Sequence, residues 1–202
     1  MAINADEVRV AGTGRVFTAP KGTALPTTVD TALPAEWNDL GYVTTDGVSF
    51  TFSRETEDLA AWQGDKIRVL SLSEPKMVEF TLMQTDAAVL QNAFGGGTID
   101  TVGAVTTYTP PARGENVERA MCIEFVDGDI TYRYAFGRVQ QEGDVNFVLT
   151  REGAVEYPVT FGVLEATPAY TIITNDPGMA SADGGDDNAV AKSSLKAPSM
   201  SN

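Results

Sequence analysis

The stretch MCIEFVDGDITYRYAF, residues 121–136, alternates apolar and polar side chains on both sides of a short turn. One apolar series runs into the turn and another leaves it: Met121, Ile123 and Phe125, then Ile130, Tyr132, Tyr134 and Phe136. A period of two is typical of a half-buried strand, and Asp127-Gly128-Asp129 has turn chemistry. The stretch therefore predicts an antiparallel β-hairpin.

The alternation continues downstream of this hairpin. Val145, Phe147 and Leu149 form one further series, and Val155, Tyr157, Val159, Phe161 and Val163 form the next. Short turns separate these series, so we expect four consecutive strands in an antiparallel meander. Such a sheet has one apolar face, which must be covered by a second sheet or by closure. The predicted fold is therefore mainly β, an antiparallel β-sandwich or barrel.

Strand signals also occupy the first half of the chain. Leu40–Thr45 and the alternating Val48–Ser53 predict a hairpin through the Asp46-Gly47 turn. Residues 67–72 change parity, which predicts a strand with a bulge, and Val78, Phe80 and Leu82 mark another strand. One short α-helix is expected over residues 86–94, capped by Asp86, ended by Gly95 and docked on the sheet.

The remaining segments read as extensions of a central domain, residues 36–174. Residues 1–35 are rich in Gly, Pro and Thr and predict an extended N-terminal arm in which only Arg15–Thr18 forms a strand. Residues 54–66 predict a long loop between strands. Residues 175–202 are polar and rich in small side chains, and predict a C-terminal tail.

Composition restricts the function. The 202 residues include 28 acidic and 14 basic side chains, one cysteine and no histidine, giving a formal net charge of −14. Without histidine there is no Ser-His-Asp triad, and a zinc site lacks its usual ligands. The negative charge disfavours nucleic-acid binding, because it repels phosphates. No segment has the signature of a secretory signal or of a membrane helix, so a cytoplasmic protein is expected.

The candidate chemical motifs fail on spacing. Gly12-Thr13-Gly14 would begin a dinucleotide fingerprint, but Phe17 stands where the third glycine is needed. Glu55, Glu57 and Asp58 cluster without a second carboxylate that the sequence places across a cleft, so a charged loop is expected there. We expect no enzymatic activity, no cofactor and no metal.

The loop over residues 54–66 has an unusual composition. It carries Leu59 and Trp62 among charges of both signs, and a solvated loop needs neither apolar side chain. Long loops in compact domains are commonly functional or disordered. Aromatic and aliphatic anchors surrounded by charge are typical of a protein interface. The loop is therefore interpreted as an anchor that buries itself in a neighbouring subunit.

In combination, these features resemble a known family. The chain resembles the major tail tube proteins of long, non-contractile-tailed bacteriophages, especially those that infect actinobacteria. The resemblance covers roughly residues 10–170 and rests on the Pro/Thr-rich arm, Trp37–Phe50, the stretch Glu57-Asp-Leu-Ala-Ala-Trp-Gln-Gly64, and the helix that begins at Asp86 and ends at Phe94-Gly95.

This resemblance implies a structural virion protein that forms stacked hexameric rings. It implies that the arm and the long loop contact the adjacent ring, with Arg15, Phe17, Glu57, Asp58, Leu59, Trp62 and Gln63 as contact residues. Tape measure, tail terminator and distal tail proteins would be partners, and DNA would pass through the lumen without specific binding. The protein would be assembled in the host cytoplasm and reside in the virion tail.

Two questions stay open at the level of sequence. Ser49, Thr51, Glu79 and Thr81 are candidates for the lumen, although the same pattern fits a solvated outer face. A carbohydrate-binding or adhesion module, and a head decoration or head–tail connector protein, are alternative functions for such a β-sandwich.

Overall fold

The computed structural model describes residues 5–60, 66–164 and 168–181. These contain twelve strands and one α-helix: β1 (Thr13–Pro20), β2 (Asn38–Asp39), β3 (Val43–Phe52), β4 (Glu55–Ala60), β5 (Lys66–Ser73), β6 (Lys76–Leu82), α1 (Ala87–Ala93), β7 (Thr98–Val102), β8 (Val105–Thr109), β9 (Arg119–Asp127), β10 (Ile130–Gln141), β11 (Tyr157–Val163) and β12 (Thr171–Thr174). Short 3-10 turns cover Ala5–Glu7 and Pro177–Ser181.

One antiparallel sheet organises the fold. Its strand order is β2-β1-β9-β10-β11-β6-β3, with β12 also paired to β10, and β4–β5 and β7–β8 form separate two-stranded sheets. The hairpin predicted from residues 121–136 is confirmed as β9–β10, with Tyr134 opposite Ile123. The sheet curls until β3 contacts β1 but does not close into a barrel over the described strands. The mainly β, antiparallel prediction is confirmed.

The curled sheet encloses an apolar core. Alternate residues of β6, β9, β10 and β11 point inward, and Phe136 and Phe161 are its largest fully buried side chains. Phe161 stacks on Phe80 with ring centroids 5.8 Å apart, and Phe50 lies 6.1 Å from Phe136. Burial of these apolar faces is the main driving force for the fold.

The predicted helix is confirmed as α1. The Asp86 carboxylate accepts a hydrogen bond of 2.9 Å from the Val89 amide, which caps the first turn. Gly95 follows the helix with φ of 74°, a conformation that favours glycine. Val89 and Ala93 are fully buried and dock the helix on the core.

The hairpin expected through Asp46-Gly47 is wrong. β3 runs through both residues and pairs along its length with β6. Val43 pairs with Leu82 and Val48 with Phe80, so β3 carries three extra residues between these two pairs. Gly47, with φ of 72°, lies in this irregularity. Asp-Gly favours a positive φ in a bulge as well as in a hairpin, and here it forms the bulge.

The strand expected at Val145, Phe147 and Leu149 is also wrong, because residues 142–156 contain no strand. The meander therefore has three consecutive strands, β9, β10 and β11. β10 pairs with β11 only over residues 139–141, and the Glu142 amide still donates to the Thr160 carbonyl oxygen. The next residue of β11 whose backbone faces this side is Pro158. Proline has no N–H to continue the ladder.

The expected loop over residues 54–66 is in part a hairpin. β4 and β5 pair antiparallel, with Glu57 opposite Leu70 and register shifts at both ends of the ladder. The sequence therefore predicted an irregular strand at residues 67–72 but missed its partner. Trp62 and Gln63 lie outside the described residues.

The N-terminal segment is integrated into the sheet. β1 has eight residues where the sequence predicted four, and Val16 is fully buried in the core. Residues 21–37 cross the opposite face of the sheet, where Trp37 packs with Ala120 and Cys122. Arg133 holds this crossing by donating to the Thr28 and Thr31 carbonyl oxygens at 2.7 and 2.9 Å.

The segment after β12 is held by a buried carboxylate, although the sequence predicted a tail from residue 175. Asp176 accepts two hydrogen bonds from Arg9, at 2.7 and 2.9 Å, and a third from the Tyr132 hydroxyl. Arg9, and then Tyr132, hold the pKa of Asp176 well below its usual range. Asn175 also donates to the Asp129 carbonyl oxygen at 3.0 Å. Both ends of the described chain are thus fastened beside β10.

A second ion-pair cluster gives the protein a predictable acid response. Glu118 accepts two hydrogen bonds of 2.9 Å from Arg138, and Lys21 lies 2.6 Å from the same carboxylate. Arg138, and then Lys21, lower the pKa of Glu118 from 4.5 to about 2. A carboxyl group whose pKa is lowered by folding stabilises the fold above its unfolded pKa, and that contribution is lost as the pH falls toward the folded value.

We expect the thermal midpoint of the wild type to fall between pH 5 and pH 2, in the window set by this shift. The Glu118→Gln variant should show a shallower fall, because its side chain does not titrate. Thermal unfolding followed by circular dichroism at several pH values checks this. Identical slopes for the two proteins would contradict the assignment.

Candidate assembly surfaces

The β4–β5 hairpin exposes apolar side chains. Leu59, Ile67 and Val69 are 50%, 66% and 50% exposed. The hairpin forms a sheet of its own, apart from the large sheet. A two-stranded hairpin is marginally stable alone in water, and exposed apolar side chains on one are typical of an interaction surface. Leu59 lies opposite Arg68 and Val69 lies opposite Asp58, so Leu59 and Val69 occupy the two faces of the hairpin. We call Leu59, Ile67 and Val69 together the hairpin patch.

Charges surround the hairpin patch. Asp58 forms an ion pair of 2.7 Å with Lys66, and Glu57 lies on the same strand opposite Leu70. Both members of the Asp58–Lys66 pair are more than half exposed, so the pair contributes little to stability. Exposed apolar side chains with charged neighbours are a usual composition of a protein interface. Of the predicted contact residues, the structure brings Glu57, Asp58 and Leu59 together here.

The other predicted contact residues, Arg15 and Phe17, lie on β1. The Arg15 guanidinium pairs with Asp39 and lies over the Phe17 ring, 5.2 Å from its centroid. Phe17 is partly buried against the Trp37 cluster, whereas the Arg15 side chain is 62% exposed. Arg15 is thus available for a contact, and Phe17 is in part a packing residue.

The four candidate lumen residues share one face of the sheet. Ser49 pairs with Glu79, and Glu79 pairs on its other side with Thr160, while Thr51 and Thr81 keep the same parity on β3 and β6. This face is opposite the core face that carries Phe50, Val78 and Phe80. It is polar and largely exposed, as predicted for either a lumen or a solvated surface.

The same face is acidic. A shallow groove across it includes three carboxylate side chains, Asp46, Glu79 and Asp144, and none of the described lysines or arginines lines it. Such a surface repels phosphate groups. The sequence missed Asp46 and Asp144 because β3 was expected to turn at Asp46 and residues 145–149 were expected to form a strand.

Exposed apolar side chains outside the predicted set mark further surfaces. Val102 and Val105 at the end of the β7–β8 hairpin are 80% and 67% exposed, and Val148 and Leu149 are 64% and 73% exposed. Of these four residues, the alternation signal included only Leu149. It could not show which apolar side chains lack a covering layer, because that depends on long-range packing.

The described residues contain neither a candidate metal-ligand cluster nor an activated cysteine. Among them there is no cluster of His, Cys, Asp and Glu that could hold a metal ion. Cys122 is buried, and burial raises the pKa of its thiol to about 12, which makes it a poor nucleophile. Within the described ranges, no helix is both long and apolar enough to cross a membrane.

Comparisons with known proteins identify the family. The family model for phage tail tube protein matches residues 1–184. The chain is 27% identical over 179 residues to the major tail protein Gp23 of Mycobacterium phage L5, which covers 82% of this chain and 88% of that protein. It is 28% identical over 180 residues to the major tail protein Gp23 of Mycobacterium phage D29, with the same coverage.

The curled antiparallel sheet, its exposed apolar patches and these similarities define a structural phage tail protein. The chain belongs to the phage tail tube protein family, as the match to the family model over residues 1–184 shows.

Proposed function

We propose that this chain assembles into hexameric rings that stack to form the phage tail tube, the conduit for genome delivery into the host. The observation that carries this proposal is the hairpin patch: a member of the tail tube family exposes three apolar side chains on a hairpin that is not part of its large sheet. Burial against another copy removes that apolar surface from water.

The proposed contacts between rings come from two regions. Glu57, Asp58 and Leu59 on β4, with Trp62 and Gln63 beyond it, contact the adjacent ring, and Arg15 with Phe17 contributes from β1. Sheet edges pair between neighbouring copies within a ring, which removes the aggregation risk of an open edge. Tape measure, tail terminator and distal tail proteins are the proposed partners, with assembly in the host cytoplasm.

The acidic face of β3 and β6 is the proposed lumen wall. Six copies at −14 each give a ring a formal charge of −84. The carboxylates of Asp46, Glu79 and Asp144 place part of that charge on this face. Repulsion of DNA phosphates by the wall keeps DNA from adhering as it slides.

Negative-stain electron microscopy of the purified chain over a concentration series, paired with sedimentation, tests the assembly. We expect hollow tubes or six-fold rings. A chain that stays monomeric at every concentration, even after tail-tip complexes are added as initiators, would overturn the proposal.

The lumen assignment has its own test. The Glu79→Gln variant removes one negative charge per subunit from the proposed wall, so we expect slower genome ejection or DNA retained in the tube, measured by DNA release in vitro. Glu36→Gln is the matched control, because Glu36 is exposed on the segment that packs against β9 and does not line the acidic groove. Unchanged ejection in Glu79→Gln virions would exclude this face as the wall.

A further inference from the structure

Residues 144–150, Asp-Val-Asn-Phe-Val-Leu-Thr, have the sequence of a β-strand and the structure of a loop. Apolar residues at 145, 147 and 149 alternate with polar ones, apart from Val148. Four of the seven residues, Val145, Phe147, Val148 and Thr150, are β-branched or aromatic. We call residues 144–150 the loop segment. Local preference and observed structure disagree here, and such a conflict is expected at a functional site.

Pro158 explains why the loop segment does not join its own sheet. The Thr160 carbonyl oxygen accepts hydrogen bonds from the Glu142 and Gly143 amides, at 3.0 and 3.4 Å. The backbone N–H and C=O groups of even-numbered β11 residues therefore point toward the chain that leaves β10. The next even-numbered residue in the ladder is Pro158, which has no N–H. The chain leaves the sheet at this point, although its sequence continues to favour a strand.

The loop segment is left with unused backbone groups. Between residues 144 and 156, no backbone group bonds to another backbone group of the described chain. Phe147 fixes the middle of the loop segment, with its ring 5.2 Å from Tyr157 and 6.0 Å from Phe94. Val148 and Leu149, just beyond this anchor, are 64% and 73% exposed.

A complementary edge exists at the end of the large sheet. The Ser53 amide donates to the Pro75 carbonyl oxygen at 3.0 Å. The backbone groups of odd-numbered β3 residues therefore face β6. Val48, Phe50 and Phe52 therefore direct their N–H and C=O groups away from β6, along the outer edge. A cleft of about 380 Å³ separates this part of β3 from β1.

Among the terminal strands of the large sheet, length selects β3 as the acceptor. The loop segment has seven residues, and β3 has ten. The opposite end of the sheet, β2, has two residues, and β12 has four, so neither can pair with the whole loop segment. A strand adding to an exposed edge gains backbone hydrogen bonds along its full length.

We propose that the loop segment becomes a β-strand on assembly and pairs with the outer edge of β3 in a second copy of this chain. The proposal rests on the proposed function, because the second copy is the neighbour within the ring. It names the two elements that join neighbouring subunits and assigns to Pro158 the role of keeping the loop segment free until a neighbour is present.

Hydrogen–deuterium exchange of monomer and assembled tube tests the proposal. We expect the amides of residues 145–150 to exchange rapidly in the monomer and to become protected in tubes, together with the outward amides of β3. Tubes in which residues 145–150 exchange as fast as in the monomer would overturn the proposal and leave the tube function intact. Absence of tubes under all conditions would overturn both.

Proline substitution tests the role of the backbone. N–H groups alternate in direction along a strand, so one of Val148→Pro and Leu149→Pro removes an N–H that faces β3. For that variant we expect the concentration needed for tubes to rise about tenfold or more, the effect of one unmade backbone hydrogen bond. Thermal unfolding of the monomer should not change, because these amides have no backbone partner among the described residues.

Val148→Thr and Leu149→Thr are the matched controls, since threonine keeps both the N–H and the preference for strands. They should raise the concentration needed for tubes less than the proline variants at the same positions do. If both proline variants assembled like the wild type, the proposed strand would be wrong.

Disulfide trapping identifies the acceptor edge. Copies carrying Val148→Cys are mixed with copies carrying Ser49→Cys, Thr51→Cys or Ser53→Cys, assembled and oxidised. We expect an intermolecular cross-link with at least one of these β3 positions in tubes, and none among monomers. The buried Cys122 gives little background. Tubes without any cross-link to the three β3 positions would exclude this edge as the acceptor.

Discussion

The double variant Leu59→Asp, Ile67→Asp is expected to fold normally and to form no tubes. Both side chains belong to the hairpin patch and are at least half exposed, so their replacement removes little buried apolar surface from the isolated subunit. In stacked rings the same positions would place two carboxylates per subunit in a desolvated interface. Burying unpaired charges is strongly unfavourable, so stacking should stop.

The measurement is tube length by negative-stain electron microscopy, with circular dichroism as the check on folding. Val102→Asp with Val105→Asp is the matched control, because these residues are more exposed than Leu59 and Ile67 and lie on a different hairpin, β7–β8. The control should leave the contacts of β4–β5 intact. Tubes of normal length from the Leu59→Asp, Ile67→Asp variant would falsify the assignment of the hairpin patch.

The second large effect is on stability. Phe161 is 1% exposed, stacks on Phe80 at 5.8 Å and faces Val78 across the β11–β6 ladder. Phe161→Ala leaves a cavity between α1 and the sheet interior, and large-to-small changes of this kind cost about 3–5 kcal/mol. We expect the free energy of unfolding, measured by urea denaturation, to fall by about that amount.

Phe52→Ala is the control for this prediction. Phe52 also stacks on an aromatic ring, that of Tyr170 at 5.5 Å, but it is 50% exposed. Its removal creates no enclosed cavity, so its cost should be well below that of Phe161→Ala. Equal losses for the two variants would contradict the placement of the core.

Local signals in the sequence predicted several elements correctly. The alternation in residues 121–136 and the Asp127-Gly128-Asp129 turn define β9–β10, because both strands and their connection are contiguous. The Asp86 cap and Gly95 define the limits of α1 for the same reason. In each case the interactions that decide the structure lie within about twenty residues of one another.

Other elements depended on distant partners and were not predictable. Asp46-Gly47 has the same local preference in a hairpin and in a bulge, and pairing of β3 with β6 selects the bulge. The loop segment has strand preference, but Pro158, more than seven residues away in the chain, lacks the N–H needed to continue the pairing with β11. Nothing in residues 175–176 indicates that Asp176 is held by Arg9 and Tyr132.

At the candidate site, too, local features were predicted and contacts between distant residues were not. The sequence grouped Ser49, Thr51, Glu79 and Thr81 as a polar face, and the register places them on one side of β3 and β6. It did not identify Asp144 as a neighbour, because that contact depends on where the chain leaves β10. Whether this face lines a lumen depends on neighbouring copies, which no intrachain signal encodes.

Cryo-electron microscopy of tubes assembled from the wild-type chain would show the proposed arrangement of subunits directly. We expect six subunits per ring, stacked rings in contact through the β4–β5 hairpin, and a hollow lumen lined by the face that carries Glu79. Filaments without a lumen, or tubes in which the hairpin patch faces solvent and Glu79 lies on the outside, would contradict it.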